Sequence, residues 1–116
     1  MTLYGIPNCN TVKKARDWLA EHKIVLEFHD FKKHGIAAAE LSNWLTQIPQ
    51  DKLINRAGLT WLGLDEQTRI SITSDAAAIA LMQSKTSVIK RPVLVKEGIV
   101  LCVGFDETRY ADIFKS

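Results

Sequence analysis

The chain has 116 residues, of which 47% are hydrophobic and 24% charged, and its formal net charge is +2. That length fits one domain with its own core, and the composition excludes a disordered chain. The basic residues are spread along the chain, so no nucleic-acid partner is predicted. No apolar run reaches the ~20 residues of a membrane span, and no secretion signal is visible at the N-terminus. We therefore expect a cytoplasmic protein without a membrane partner. A monomer is the default expectation for its oligomeric state.

The N-terminal third predicts a β-α-β unit. Residues 2–4 form a short apolar strand that ends at a turn rich in Gly, Pro and Asn. Apolar residues then recur at helical spacing over residues 10–22, and residues 26–31 alternate apolar and polar as a half-buried strand does. Two strands joined through a helix are expected to be parallel.

The middle of the chain predicts a helical insertion. Residues 32–35 form a polar break, and a helix follows over residues 37–46. A short segment surrounds residues 61–64, and a further helix covers residues 76–82, with Ser74 or Asp75 as its N-cap. We expect residues of about 37–88 to be mostly helical, inserted within a single domain of residues 1–116.

The C-terminal part predicts a hairpin and a last helix. Residues 93–96 and 99–103 are rich in β-branched side chains and are separated by the two-residue turn Glu97-Gly98. Asp106 can cap the helix that follows. The order β-α-β, helical insert, β-β-α predicts an α/β fold of the thioredoxin-like class, a mixed four-stranded sheet with an inserted helical region.

Cys9 is the candidate nucleophile. It follows the first strand and opens the first helix, where unpaired backbone N–H groups and the positive end of the helix dipole favour a thiolate. The competing interpretation, a small hydrophobic core residue, suits Cys102 better, because Cys102 lies in an apolar strand with no nearby cation.

Five further residues are candidates for substrate binding. Arg91, beside the thiolate, would stabilise it and bind an oxyanion through its two-pronged guanidinium. Pro92 either shapes the loop that faces the substrate or only ends that loop. Asn10 and Thr11 donate hydrogen bonds to the thiolate or act as local caps. Arg56 is either an anchored arginine near the cleft or a solvated surface residue.

The spacing of the residues excludes two alternative catalytic motifs. A phosphatase-type loop separates its Cys and Arg by five residues, whereas six residues separate Cys9 from Arg16. A C-x-x-C dithiol would need a second Cys where this chain has Val12, so turnover requires an external thiol. The three histidines show no metal-ligand spacing with either cysteine, and no metal is predicted.

Four segments together resemble the arsenate reductase (ArsC)/Spx family, in its YffB-like branch. They are residues 5–15, 53–56, 89–95 and 103–106. The resemblance runs through essentially the whole chain. It implies a thioredoxin-like fold with a helical insertion, Cys9 as the catalytic cysteine, and oxyanion-binding groups at Arg91 and at Arg56 or the neighbouring Asn55.

The resemblance also implies a chemistry. In the glutathione- and glutaredoxin-linked arsenate reductases, the thiolate attacks arsenate and glutathione resolves the adduct. Here Val103 stands where those enzymes carry another arginine, and the first helix lacks their Gly-Thr-Ser-Arg start. Losing one charged hydrogen-bonding group weakens binding by about 1.5–3 kcal/mol. We therefore predict a glutathione-dependent thiol reductase with no tightly bound cofactor, glutathione as co-substrate in a cleft beside the insert, and glutaredoxin as a further partner.

Three alternatives stay open. In the first, the chain is a true arsenate reductase. In the second, it is an Spx-like transcription regulator that binds the α subunit of RNA polymerase. Spx-like members sense oxidation through a C-x-x-C pair, which Val12 removes here. A catalytically silent adaptor on the same scaffold would leave the thiol of Cys9 unperturbed.

Overall fold

The computed structural model describes residues 1–115 in two compact units. One unit combines Met1–His34 with the C-terminal segment that begins at Arg91, and the other comprises Gly35–Lys90. Ser116, the last residue of the predicted domain, lies outside the described residues.

The first unit contains a four-stranded sheet. Its strands are β1 (Thr2–Gly5), β2 (Glu27–Asp30), β3 (Val93–Lys96) and β4 (Ile99–Val103), in the spatial order β2-β1-β3-β4. β1 pairs parallel with β2, as the β-α-β pattern predicts, and antiparallel with β3, and β3 pairs antiparallel with β4. This mixed sheet confirms the predicted α/β, thioredoxin-like fold class.

Eight α-helices occur among residues 1–115. They are α1 (Asn10–Glu21), α2 (Phe31–His34), α3 (Ala38–Leu45), α4 (Gln50–Leu53), α5 (Leu59–Leu62), α6 (Glu66–Ser71), α7 (Asp75–Ser84) and α8 (Glu107–Ile113). A 3₁₀-helix covers Thr86–Val88. In this part of the chain, no helix is long and apolar enough to cross a membrane.

The core of the first unit holds α1 against the sheet. Ala15, Trp18 and Leu19 of α1 pack with Leu3 and Leu94 in one buried cluster, to which α8 adds a tyrosine. The spacing of these α1 residues places them on one helix face, as the sequence predicts. Burial of that face sets the start of α1 at the carboxyl end of β1.

The hairpin and the helix caps form as predicted. Glu97 and Gly98 both have positive φ, 51° and 80°, which is the backbone of a tight two-residue hairpin turn. The Asp106 carboxylate accepts a hydrogen bond from the N–H of Arg109 at 3.1 Å and caps α8. Ser74, one of the two predicted caps, caps α7.

The predicted boundary of the second strand is wrong. The strand ends at Asp30, and the predicted polar break is instead the short helix α2. The Asp30 carboxylate accepts a hydrogen bond from the N–H of Lys32 at 2.8 Å, which starts a helical turn. Phe31 therefore belongs to α2 rather than to the strand, and its side chain is only 2% exposed.

The predicted insertion also contains a strand-like contact. In the second unit, Ile54 and Ile89 form an isolated antiparallel bridge, and the N–H of Lys90 donates a hydrogen bond to the Leu53 carbonyl at 2.8 Å. Pairing between segments so distant in sequence produces no periodic pattern of apolar residues. The sequence therefore predicts only a helical region for the residues after α4.

We expect Gly5→Ala to destabilise the protein through α1. A Cβ atom at residue 5 would lie 2.9 Å from Val12 Cγ2, and the Val12 side chain is fully buried. Overpacking of this kind costs about 1–3 kcal/mol in the free energy of unfolding. Urea unfolding should show that Gly5→Ala combined with Val12→Ala loses less than the sum of the single changes. Strict additivity would mean that the two residues do not compete for this space.

Candidate functional site

Cys9 is the N-cap residue of α1. The residue has an extended backbone, and its carbonyl accepts a hydrogen bond from the N–H of Lys13 at 2.9 Å. Within residues 1–115, the Cys9 side chain makes no capping hydrogen bond of conventional geometry. The thiol is partly exposed and is not in a disulfide. A nucleophile in this position is accessible and lies at the positive end of the helix dipole.

The surroundings of Cys9 favour its thiolate. Partial burial raises the pKa of the Cys9 thiol, but the backbone N–H of Val12 and the hydrogen bond and positive charge of Arg91 lower it. The N–H of Thr11 lowers the pKa further. The lowering effects prevail, so the pKa lies below that of an ordinary cysteine. Two sources of positive potential, a helix N-terminus and a guanidinium, act on one sulfur.

Strand pairing brings Arg91 to Cys9. Tyr4 near the end of β1 pairs with Val93 at the start of β3, so the residues before β3 lie beside the loop that follows β1. Arg91 is half-buried there, and its peptide bond to Pro92 is cis. The buried Pro92 accepts a hydrogen bond at its carbonyl from the N–H of Gly104 at 2.8 Å, which joins this loop to the end of β4.

Asn10 and Thr11 are the first two residues of α1. Both side chains are exposed. The contribution of Thr11 to the thiolate comes from its backbone N–H, together with that of Val12. The prediction that unpaired N–H groups at the start of α1 favour the thiolate includes Val12, although the sequence does not single out that residue as a donor.

Arg56 belongs to the second unit and is engaged there. Its guanidinium lies 3.3 Å from the Asp51 carboxylate and 4.7 Å from the ring centroid of Trp61, with 40% of the side chain exposed. Neither partner was singled out from the sequence, because separations of five residues match neither helical nor strand periodicity. Arg56 is therefore anchored at its own unit's surface rather than freely solvated.

Cys102 differs from Cys9. It is partly buried in β4 beside the core, and burial raises the pKa of its thiol. The prediction that no cation lies nearby is wrong, because the charge of Arg109 also acts on this thiol. Arg109 belongs to α8, and its Nη2 donates a hydrogen bond to the Leu101 carbonyl of β4 at 3.2 Å. The environment is that of an unreactive, packed cysteine.

The residues of the rejected motifs have other contacts. The guanidinium of Arg16 lies 4.2 Å from the ring centroid of Phe28, over β2. Val12, at the position of a second dithiol cysteine, is fully buried. Among residues 1–115, no group of three or more His, Cys, Asp or Glu side chains is arranged to hold a metal ion.

Known proteins resemble the chain over nearly its whole length. The model of the ArsC family matches residues 4–113. A protein of Haemophilus influenzae is 40% identical over 114 residues, which cover 98% of each chain. The solved structure of a YffB protein is 44% identical, with a TM-score of 0.89 over 96% of each chain. The global transcriptional regulator Spx of Listeria innocua is 26% identical over 113 residues, which cover 92% of this chain and 81% of Spx.

We expect Arg91→Ala to raise the pKa of Cys9, because it removes both the hydrogen bond and the positive charge. The pH dependence of iodoacetamide alkylation, measured in a Cys102→Ser background, should shift to higher pH, and the rate at neutral pH should fall about threefold or more. Lys14→Ala is the matched control, because it removes an exposed cation from the same helix. An unchanged profile in Arg91→Ala would contradict this account of the thiolate.

The lowered pKa of Cys9 also predicts a dependence of stability on pH. Where the folded protein carries the thiolate and the unfolded chain still carries the thiol, the unfolded state binds more protons. The free energy of unfolding, relative to Cys9→Ser, should therefore rise with pH from the folded pKa up to the unfolded value of about 8.5. Denaturant titrations of both proteins in the Cys102→Ser background measure this difference. A difference that is flat or falls with pH would be inconsistent with a stabilised thiolate.

Proposed function

The chain belongs to the ArsC family, and from that premise we propose that it is a glutathione-dependent thiol reductase with Cys9 as its single nucleophile. The observation that supports this proposal is the lowered pKa of Cys9 beside Arg91 at the start of α1. A thiolate is the reactive form in thiol–disulfide exchange, and a pKa nearer to neutral pH gives more of it. A catalytically silent adaptor would not require a cysteine thiol of lowered pKa.

The proposed reaction begins with a disulfide between a substrate thiol and glutathione. The Cys9 thiolate attacks the glutathione sulfur, the substrate leaves as a thiolate that takes up a proton, and Cys9 becomes joined to glutathione. The thiolate of a second glutathione attacks the sulfur of the bound glutathione, which releases oxidised glutathione and regenerates the Cys9 thiolate. Each turnover thus consumes one free glutathione, and the disulfide bond passes from the substrate to oxidised glutathione.

The residues around Cys9 serve both steps. Arg91 and the N–H groups of Thr11 and Val12 stabilise negative charge on the Cys9 sulfur. The same stabilisation makes Cys9 a good leaving group when glutathione attacks the mixed disulfide, because thiols of lower pKa leave faster. With valine at residue 12, no dithiol partner competes for the mixed disulfide, which favours resolution by glutathione or by glutaredoxin.

Arsenate reduction is the second candidate. Family membership and Arg91 favour it, since a guanidinium beside the thiolate suits an oxyanion. Val103 argues against it, because the side chain of valine cannot donate a hydrogen bond to arsenate as an arginine would. We propose a cytoplasmic location for either activity, since glutathione keeps thiols reduced there, and we propose that the protein acts as a monomer.

An Spx-like regulator is the candidate from another class. The similarity to Spx supports it, and the α subunit of RNA polymerase is the partner to test by pull-down. Regulation through an oxidised cysteine pair is not available to this first helix, since Val12 occupies the second position.

Mass spectrometry tests the reductase directly. Protein carrying Cys102→Ser, treated with a glutathionylated peptide, should gain one glutathione on Cys9, and added glutathione should remove it. Cys9→Ser should abolish turnover while keeping the fold, and Arg91→Ala should slow it about threefold or more at neutral pH. Lys14→Ala is expected to match the parent protein.

Three outcomes, from this experiment and from the arsenate and pull-down assays, would contradict the proposal. Turnover that persists in Cys9→Ser would rule out the mechanism. Arsenate reduction with glutathione and glutaredoxin, at an efficiency above that for glutathionylated peptides, would favour the second candidate. A thiol that is indifferent to glutathione, with retention of the α subunit in a pull-down, would favour the regulator.

A further inference from the structure

A groove of about 660 Å³ runs between α1 and β2, within the first unit. Its floor is apolar and includes Leu19, Leu26 and Phe28. Val25, also part of its lining, is 95% exposed and extends the apolar surface to the rim. β2 is an edge strand of the sheet, and no strand within residues 1–115 covers this side of the unit.

The rim of the groove is positively charged. Lys13, Arg16 and Lys23 line it, against the single acidic residue Asp17. The Arg16 guanidinium lies over the Phe28 ring, so a cation covers part of the apolar floor. An occupant complementary to this surface carries carboxylates next to apolar side chains.

The residues that line the groove flank Cys9 in the sequence. Pro7, two residues before Cys9, and Lys13, four residues after it, both belong to the lining. Lys13 is one helical turn beyond Cys9, about 6 Å along the axis, and the part of α1 that lines the groove ends at Ala20, about 16 Å along the axis from Cys9. An extended polypeptide covers that length with about five residues.

We propose that this groove binds the polypeptide segment next to the disulfide-bonded cysteine of a protein substrate, a segment of alternating acidic and apolar residues. The inference rests on the proposed thiol exchange at Cys9 and names its substrate class: glutathionylated proteins rather than small disulfides. The substrate cysteine lies at Cys9, its flanking residues lie along α1, and the apolar side chains enter the groove while the carboxylates face Lys13, Arg16 and Lys23.

Fluorescence anisotropy with Cys9→Ser protein separates binding from chemistry. The probes are two labelled peptides that begin with serine in place of cysteine and continue with five residues alternating leucine with either glutamate or lysine. The glutamate peptide should bind more tightly, and Arg16→Glu with Lys23→Glu should weaken it about tenfold. The milder pair Arg16→Gln with Lys23→Gln should give a smaller loss, and added salt should weaken the parent complex.

A matched control carries Lys14→Glu with Lys33→Glu, which changes the net charge equally at exposed residues outside the groove lining. This control should retain binding of the glutamate peptide. Equal weakening in both charge-reversed proteins would overturn the inference, because net charge alone would explain it. Displacement of the peptide by millimolar glutathione would also overturn it, and so would a dimer that dissociates only when Arg16 and Lys23 are reversed.

A last measurement distinguishes this inference from the proposed function. Cys102→Ser protein with Cys9 intact receives the glutathionylated cysteine forms of both peptides. Faster transfer of glutathione from the glutamate peptide, lost with Arg16→Glu and Lys23→Glu, supports both. Transfer at equal rates from both peptides overturns the groove as a specificity site and leaves the reductase intact. Selective binding without transfer overturns the reductase and, with it, the substrate assignment.

Discussion

The stabilisation of negative charge on the Cys9 sulfur is the interaction on which the rest of this site depends. Backbone N–H groups at the start of α1 and the guanidinium of Arg91 together outweigh the cost of partial burial. The start of α1 and Arg91 are far apart in the sequence. The packing of α1 on the sheet and the pairing of β1 with β3 are therefore as necessary to the thiolate as the charged group itself.

The pKa values of the two cysteine thiols are shifted in opposite directions within one unit. Cys9 stands outside a strand end, where donors from the helix and the arginine converge. Cys102 stands within β4, where burial raises its pKa more than the charge of Arg109 lowers it. The direction of the pKa shift of each thiol thus follows its position relative to the helix terminus and the core.

Local signals in the sequence account for the sheet, the long helices and the position of Cys9. The apolar spacing of α1, the Glu97-Gly98 turn and the cap at Asp106 each act within a few residues, so they could be recognised from the sequence. The bridge between Ile54 and Ile89 could not, because it joins distant segments. The partners of Arg56 and the groove along α1 depend on side-chain directions in three dimensions, which a linear pattern does not contain.

The site draws on both ends of the chain, since Arg91 and β3 come long after Cys9 in synthesis. Most of the polypeptide must leave the ribosome before β3 can pair with β1, and closing so long a loop has an entropic cost. Until then, Arg91 does not act on Cys9, and only the start of α1 can lower the pKa of the thiol. Full stabilisation of the thiolate therefore waits for completion of the sheet.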